Sequence, residues 1–121
     1  MIPVDNSVKI TGQAEMKNKQ LYEIHADICK ALTHPLRLEI LDNLRDGEKT
    51  VSQLVARLGV TQSAVSRHLA IMRSYGVVQT RRDGVRIFYR IGNAHIITAY
   101  DEMHTFALET MTAQSAIFAP H

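Results

Sequence analysis

The chain has 121 residues, one cysteine and a formal net charge of +2. That length suits a single domain that buries about two thirds of its unfolded surface without staples, the lone cysteine excludes an intrachain disulfide, and no apolar run approaches the roughly 20 residues of a membrane span. The modest net charge hides a polarised distribution: residues 45–90 hold nine Lys or Arg against three acids (+6), whereas residues 1–44 give −1 and residues 91–121 give −3. A basic segment of this kind is the electrostatic footprint of a nucleic-acid reading head. The N-terminus lacks a basic region followed by an apolar signal core, so a cytoplasmic location is expected.

Residues 1–15, with Pro3, Gly12 and scattered polar groups, read as a flexible arm. Residues 16–112 read as the folded domain and 113–121 as a tail. Within the domain, Leu21, Ile24, Ile28 and Leu32 form the apolar stripe of a first helix. Thr33 and His34 interrupt it, and Pro35 suits the first turn of a second helix that Leu38, Leu41 and Leu44 carry to Gly47. Val51, Leu54, Val55 and Leu58 fall at i, i+3, i+4 and i+7 and predict a third helix, which Gly59 ends.

Thr61 can cap a fourth helix through its hydroxyl. Val65, Leu69 and Met72 face inward on that helix, so Gln62, Ser63, Ser66 and Arg67 face outward, where they can hydrogen-bond base edges and phosphates. The third and fourth helices therefore make a helix-turn-helix. After Gly76 the period becomes two: Val85, Ile87, Tyr89 and Ile91 alternate with Arg86, Phe88 and Arg90. Asp83-Gly84 predicts a two-residue type I′ hairpin turn. The hairpin tip carries Arg81, Arg82 and Arg86 with Asp83 as its single acid, which favours contact with a polyanion over mutual repulsion. Arg37, Arg45 and Arg73 read as ordinary surface charges or as phosphate contacts.

A last helix from about Ala94 to Met111 places Ile97, Tyr100, His104, Ala107 and Met111 at alternating spacings of three and four, the seam of a helix packed on a helix. That seam either covers the back of its own domain or, with the first helix, forms a dimer interface of Leu21, Ile24, Ile28, Ile97, Tyr100, His104 and Met111. The dimer is favoured, because a two-fold operator requires two heads. The fold class is mainly α with one small β-hairpin, a winged helix-turn-helix in the order α-α-α-α-β-β-α.

KALTHPLRLEIL (Lys30 to Leu41), SQLVARLGVTQSAVSRHLAIMRSYGVV and RRDGVRIFYRI resemble the ArsR/SmtB family of winged-helix repressors, over about Tyr22 to Met111. The resemblance implies a homodimer that binds double-stranded operator DNA, represses transcription and is released by an inducer. It also implies that Gln62, Ser63, Ser66, Arg67 and His68 lie on the recognition helix at the DNA, although His68 can equally pack at the helix edge. With Thr61 and the wing residues Arg81, Arg82 and Arg86, these form the expected DNA-binding set.

The family's sensing sites are where the chain departs. The segment matching its thiolate metal site, Val51-Ser52-Gln53-Leu54-Val55, has no cysteine, and soft ions need thiolates. At the family's other metal site the chain offers Asn93, His95, Phe106 and Glu109, too few ligands for a stable centre. His25 and Cys29 lie one turn apart in the first helix and His104 on the seam of the last. If those helices meet across a dimer, the three supply N, N and S donors for zinc or another metal. Otherwise Cys29 is a small buried core residue, or a thiol switch that works through an intersubunit disulfide or an adduct. The fold itself requires no cofactor.

Three function classes compete for this sequence. A sequence-specific transcriptional regulator leads, with a thiol- or metal-responsive repressor as its variant. A winged-helix protein-interaction module predicts an apolar outer face on the fourth helix, and the residues there are polar. An enzyme needs a nucleophile with a base, paired carboxylates or a phosphate-cradling glycine loop, and none occurs at usable spacing. The inducer, the operator sequence and the regulated genes are not encoded in any recognisable motif.

Overall fold

The computed structural model describes residues 12–118. The elements run α1 (Gly12–Lys30), α2 (Pro35–Leu44), α3 (Val51–Leu58), α4 (Gln62–Ser74), β1 (Val78–Asp83), β2 (Arg86–Ile91) and α5 (Ala94–Phe118). This is the expected order of helices and hairpin. Both terminal helices are longer than the 16–112 span implies. The start of α1 draws on Gln13, Ala14, Glu15 and Met16, all good helix formers, so residues 12–15 are helical; residues 1–11 of the expected arm lie outside the described residues. Likewise α5 carries on past Met111 to Phe118, through six of the residues expected in the tail.

The core lies between α2, α3, α4 and the wing. Its buried members are Ala31, Ile40, Leu41, Leu44, Leu54, Val65, Leu69, Met72, Val77 and Val78. Val65, Leu69 and Met72 point inward as their spacing requires, and Val51, Val55 and Leu58 pack around Leu54. On α2 the stripe centres on Ile40, Leu41 and Leu44. Leu38, expected to face inward, lies at its margin and is exposed.

Local chemistry sets the helix ends. The His34 ring accepts a hydrogen bond from the Leu36 N–H at 3.1 Å, with Pro35 as the first helical residue of α2. At α3 a reciprocal capping box joins Thr50 and Gln53, with distances of 3.2 and 2.8 Å. Gly59 takes a left-handed conformation (φ 67°) and turns the chain into α4, where the Thr61 hydroxyl accepts from the Ala64 N–H at 3.2 Å. The far end of α4 closes through Gly76 (φ 74°), with Gly76 N–H donating to Arg73 C=O at 3.0 Å and Val77 N–H to Met72 C=O at 2.9 Å. That paired termination swings the backbone directly into β1.

The hairpin is antiparallel, with Val78 opposite Ile91 and Asp83 opposite Arg86. Its two central turn residues are therefore Gly84 and Val85, one position later than the expected Asp83-Gly84. Gly84 has φ 61° and no non-glycine residue among the described residues has positive φ, so the turn follows the II′ pattern, with glycine at the first central position. The type I′ expectation fails because it would place Gly84 second and force Asp83 to positive φ. Tyr89 and Ile91 pack on the core, whereas Val85 at the tip is fully exposed. Lys49 exchanges both backbone hydrogen bonds with Tyr89, at 2.9 and 2.8 Å, and so ties the loop before α3 to the wing.

The terminal helices behave differently. Between Glu15 and Ala26 every residue of α1 is exposed, and only Asp27 and Ile28 in its last turn approach the body. Along α5, Ile96, Ile97 and Tyr100 are half-buried, and every residue from Asp101 to Gln114 is exposed.

Candidate nucleic-acid interface

Because Val65, Leu69 and Met72 anchor one side of α4 in the core, the opposite side presents Gln62, Ser63, Ser66 and Arg67 to solvent, as their spacing predicts. Thr61 is exposed too; its hydroxyl caps α4 and lies 3.3 Å from the Ser63 hydroxyl. An open groove joins this helix start to the wing tip and is lined by Thr50, Val51, Ser52, Gln62, Val85, Arg86 and Ile87. The first turn of the recognition helix and the hairpin tip thus border one concave surface.

His68 is not on that surface. It is 7% exposed, and its Nδ1 accepts a hydrogen bond from Arg37 Nε at 3.1 Å. Its ring centroid lies 4.3 Å from that of His34. Three residues beyond Val65, its side chain falls toward α2, where it docks the fourth helix onto its neighbour, in line with the expectation that it packs at the helix edge. Burial, assisted by the charges of His34, Arg37 and Arg67, pushes its imidazole below the ordinary histidine value. Arg37 spans this junction, its Nη1 also donating to Lys30 C=O at 3.1 Å, and is no solvated free charge.

The three wing arginines divide. Arg81 forms a two-pronged pair with Glu48, with Nε 3.1 Å from Oε2 and Nη2 on Oε1, and its guanidinium lies 4.6 Å from the Phe88 ring centroid. The Glu48 carboxyl is held below the usual carboxylate range by this guanidinium. Asp83 is therefore not the only acid that answers the wing. Arg82 and Arg86 are exposed and join no ion pair among the described residues, although Arg86 lies over Phe88 at 5.0 Å. Neither Glu48, 33 positions from Arg81, nor the α2 partners of His68 carry a local sequence signal that would have revealed these pairings.

The ligand-like residues do not assemble. Among the described residues no group of three His, Cys, Asp or Glu side chains is placed to hold a metal ion. His25, Cys29 and His104 do not converge within one chain. Cys29 is exposed on α1, which corrects its reading as a buried core residue, and His104 stacks on Tyr100 with ring centroids 5.3 Å apart. Of the residues expected at a dimer seam, Leu21, Ile24, His104 and Met111 are exposed, whereas Ile28 and Tyr100 pack against the chain's own core and Ile97 is half-buried beside them. Met103, Phe106 and Leu108 are exposed apolar residues on α5 that the three-four spacing passes over. No helix of the described residues is long and apolar enough to cross a membrane.

This arrangement recurs in known proteins. The chain is 34% identical over 101 residues to the biofilm growth-associated repressor of Xylella fastidiosa (strain Temecula1 / ATCC 700964), which covers 84% of this chain and 87% of that protein. The structure of HlyU from Vibrio cholerae N16961 superposes with a TM-score of 0.66 at 32% identity, over 73% of this chain and 96% of that one. A homodimeric winged helix-turn-helix DNA-binding domain from Mycobacterium bovis matches with a TM-score of 0.66 at 30% identity, over 87% of this chain and 92% of that one. The model of the family described as "Bacterial regulatory protein, arsR family" matches residues 34–80, from the His34 cap through the recognition helix into β1. With its helix-turn-helix and wing matched in both sequence and fold, this chain belongs to the arsR family of bacterial transcriptional regulators.

Proposed function

We propose that the protein is a homodimeric, operator-binding transcriptional repressor without catalytic activity, working in the cytoplasm and released from DNA by an inducer. The observation that carries this reading is the shared groove of the α4 start and the wing tip, lined by Gln62 and Arg86, with Ser63, Ser66 and Arg67 exposed on the same helix and Arg82 exposed on the wing; neither Arg82 nor Arg86 joins an ion pair among the described residues. A helix start of that composition suits base edges in the major groove, and the two arginines suit the flanking backbone or minor groove. Arg81 contributes less than its neighbours, since Glu48 already neutralises it.

The dimer rests on the terminal helices. Leu21 and Ile24 on α1 and Met103, Phe106, Leu108 and Met111 on α5 are large apolar side chains left exposed in the single chain, surface that a second copy would cover. The Mycobacterium bovis relative is described as homodimeric, and two heads are what a two-fold operator needs. Repression follows the Xylella fastidiosa relative; the HlyU relative is called a transcriptional activator, so the sign of regulation depends on where the operator lies.

A second reading, that a thiol or metal controls DNA binding, is kept alive by the exposure of Cys29 on α1. Both are tested by titrating the protein against its own upstream intergenic DNA by fluorescence anisotropy, with and without zinc or oxidant, for wild type and Cys29→Ser. Tight, salt-dependent binding supports the regulator. Loss of binding under zinc or oxidant only when Cys29 is present supports the sensor. No binding to that DNA or to a randomised duplex library overturns the operator-binding reading.

A further inference from the structure

Helix α5 leaves the body of the protein at one place. Ile96, Ile97 and Tyr100 are its last partly covered side chains, and all residues from Asp101 to Gln114 are exposed. At that departure point Arg45, the C-cap of α2, reaches across to Asp101, with Nη2 2.5 Å from Oδ1 and Nη1 3.1 Å from Oδ2. The same guanidinium donates from Nε to Asp42 at 3.3 Å and lies 5.5 Å from the centre of the Tyr100 ring. Two carboxylates, an aromatic face and a two-pronged fork together hold one arginine in one geometry. Ile96 and Tyr100 pack on the core, and beside them an open cleft lined by Leu44, Arg45, Asn93, Ala94 and Ile97 leaves the root of α5 only partly covered, so the ion pair adds a contact that this packing lacks.

We infer that the Arg45–Asp101 pair is a positioning strut that sets the angle of α5 to the reading head, and thereby the operator half-site spacing that the dimer accepts. The inference rests on the dimer reading above. From Asp101 to Phe118 the helix extends about 26 Å. A swing of roughly 10° at the strut displaces its far end by about 4 Å, comparable with the ~3.4 Å rise of one DNA base pair. An exposed pair adds little to stability, yet it can select one angle among several of similar energy. Arg45 and Asp101 are positioning residues in this role, since neither lies on the α4 and wing surface.

The test uses a two-fold duplex selected from a randomised library by the wild-type protein. Derivatives carry one base pair more or fewer between the half-sites, and one derivative keeps a single half-site. Wild type is expected to prefer its own spacing by about tenfold. Asp101→Asn and Arg45→Lys are expected to remain dimeric by sedimentation and to bind the single half-site as wild type does, while their spacing preference falls to about twofold. The exchanged pair Arg45→Asp with Asp101→Arg is expected to recover a single preferred spacing. Dimeric variants with the wild-type spacing profile, a loss of single half-site affinity, or no recovery in the exchanged pair would each overturn the inference. A monomeric wild-type protein would instead remove the dimer reading, seen by sedimentation before any DNA is added, and the inference with it.

Discussion

At the scale of single residues, the electrostatics of the wing separate the arginine held by Glu48 from the exposed Arg82 and Arg86, which are proposed to meet DNA. Arg82→Ala or Arg86→Ala is expected to weaken binding to all sequences and to lower the salt slope by about one unit per lost phosphate contact. Gln62→Ala is expected instead to flatten sequence preference with little change in slope; anisotropy titrations at several salt concentrations distinguish the two. Glu48→Gln runs in the opposite direction. Without its carboxylate partner Arg81 becomes available to phosphate, so non-specific affinity and salt slope should both rise, the slope by about one unit. The polar face of α4 could be read from the spacing of Val65, Leu69 and Met72, because a helix anchored on one side must expose the other. The Glu48–Arg81 pair could not, since nothing local ties a loop residue to a strand 33 positions later.

At the scale of elements, two junctions decide whether the head is rigid. One is the seat of α4 on α2, where His68 accepts from Arg37 beside His34. Because burial holds the His68 imidazole below its ordinary value of 6.5, the unfolded chain takes up the proton first as pH falls. The contribution of this seat is therefore intact above about pH 6.5 and is lost as pH drops toward the lower folded value. Thermal melts between pH 7.5 and pH 5, roughly spanning that window, should show a declining midpoint for wild type and a flatter profile for His68→Gln. The other junction is the base of the wing, where a Cβ on Gly92 would press into the Gly76 carbonyl. Gly92→Ala is expected to destabilise the fold by about 1–3 kcal/mol, read from denaturant midpoints. His68 shows the limit of a one-helix reading: periodicity left it at the edge of the recognition face, and only the neighbouring α2 determined which way it turned.

At the scale of the whole molecule, the proposed dimer rests on the terminal helices. Phe106→Glu changes a side chain that is 60% exposed in the single chain, so the head should keep its fold. Sedimentation should then show a monomer, and affinity for a two-fold operator should fall by about tenfold or more as the second head is lost. An unchanged dimer would move the interface away from this face of α5. The three-four spacing in the last helix marked a seam, but it mixed residues with two duties. Tyr100 and Ile97 belong to the root of α5 on its own head, whereas His104, Ala107 and Met111 lie on the projecting part.

The order of helices and hairpin, the capping of α4, the inward and outward faces of the recognition helix, and the basic character of the wing are all legible along the chain. These depend on neighbours within one or two turns, so periodicity and cap chemistry suffice. Folding in three dimensions adds that the hairpin turns at Gly84-Val85, that His68 is buried against Arg37, that Glu48 claims Arg81, that Cys29 is exposed, and that Arg45 grips Asp101 where α5 leaves the body. The last four depend on surfaces brought together from distant parts of the chain. The turn is decided by the register of the whole hairpin, which Val78 and Ile91 fix from the core end.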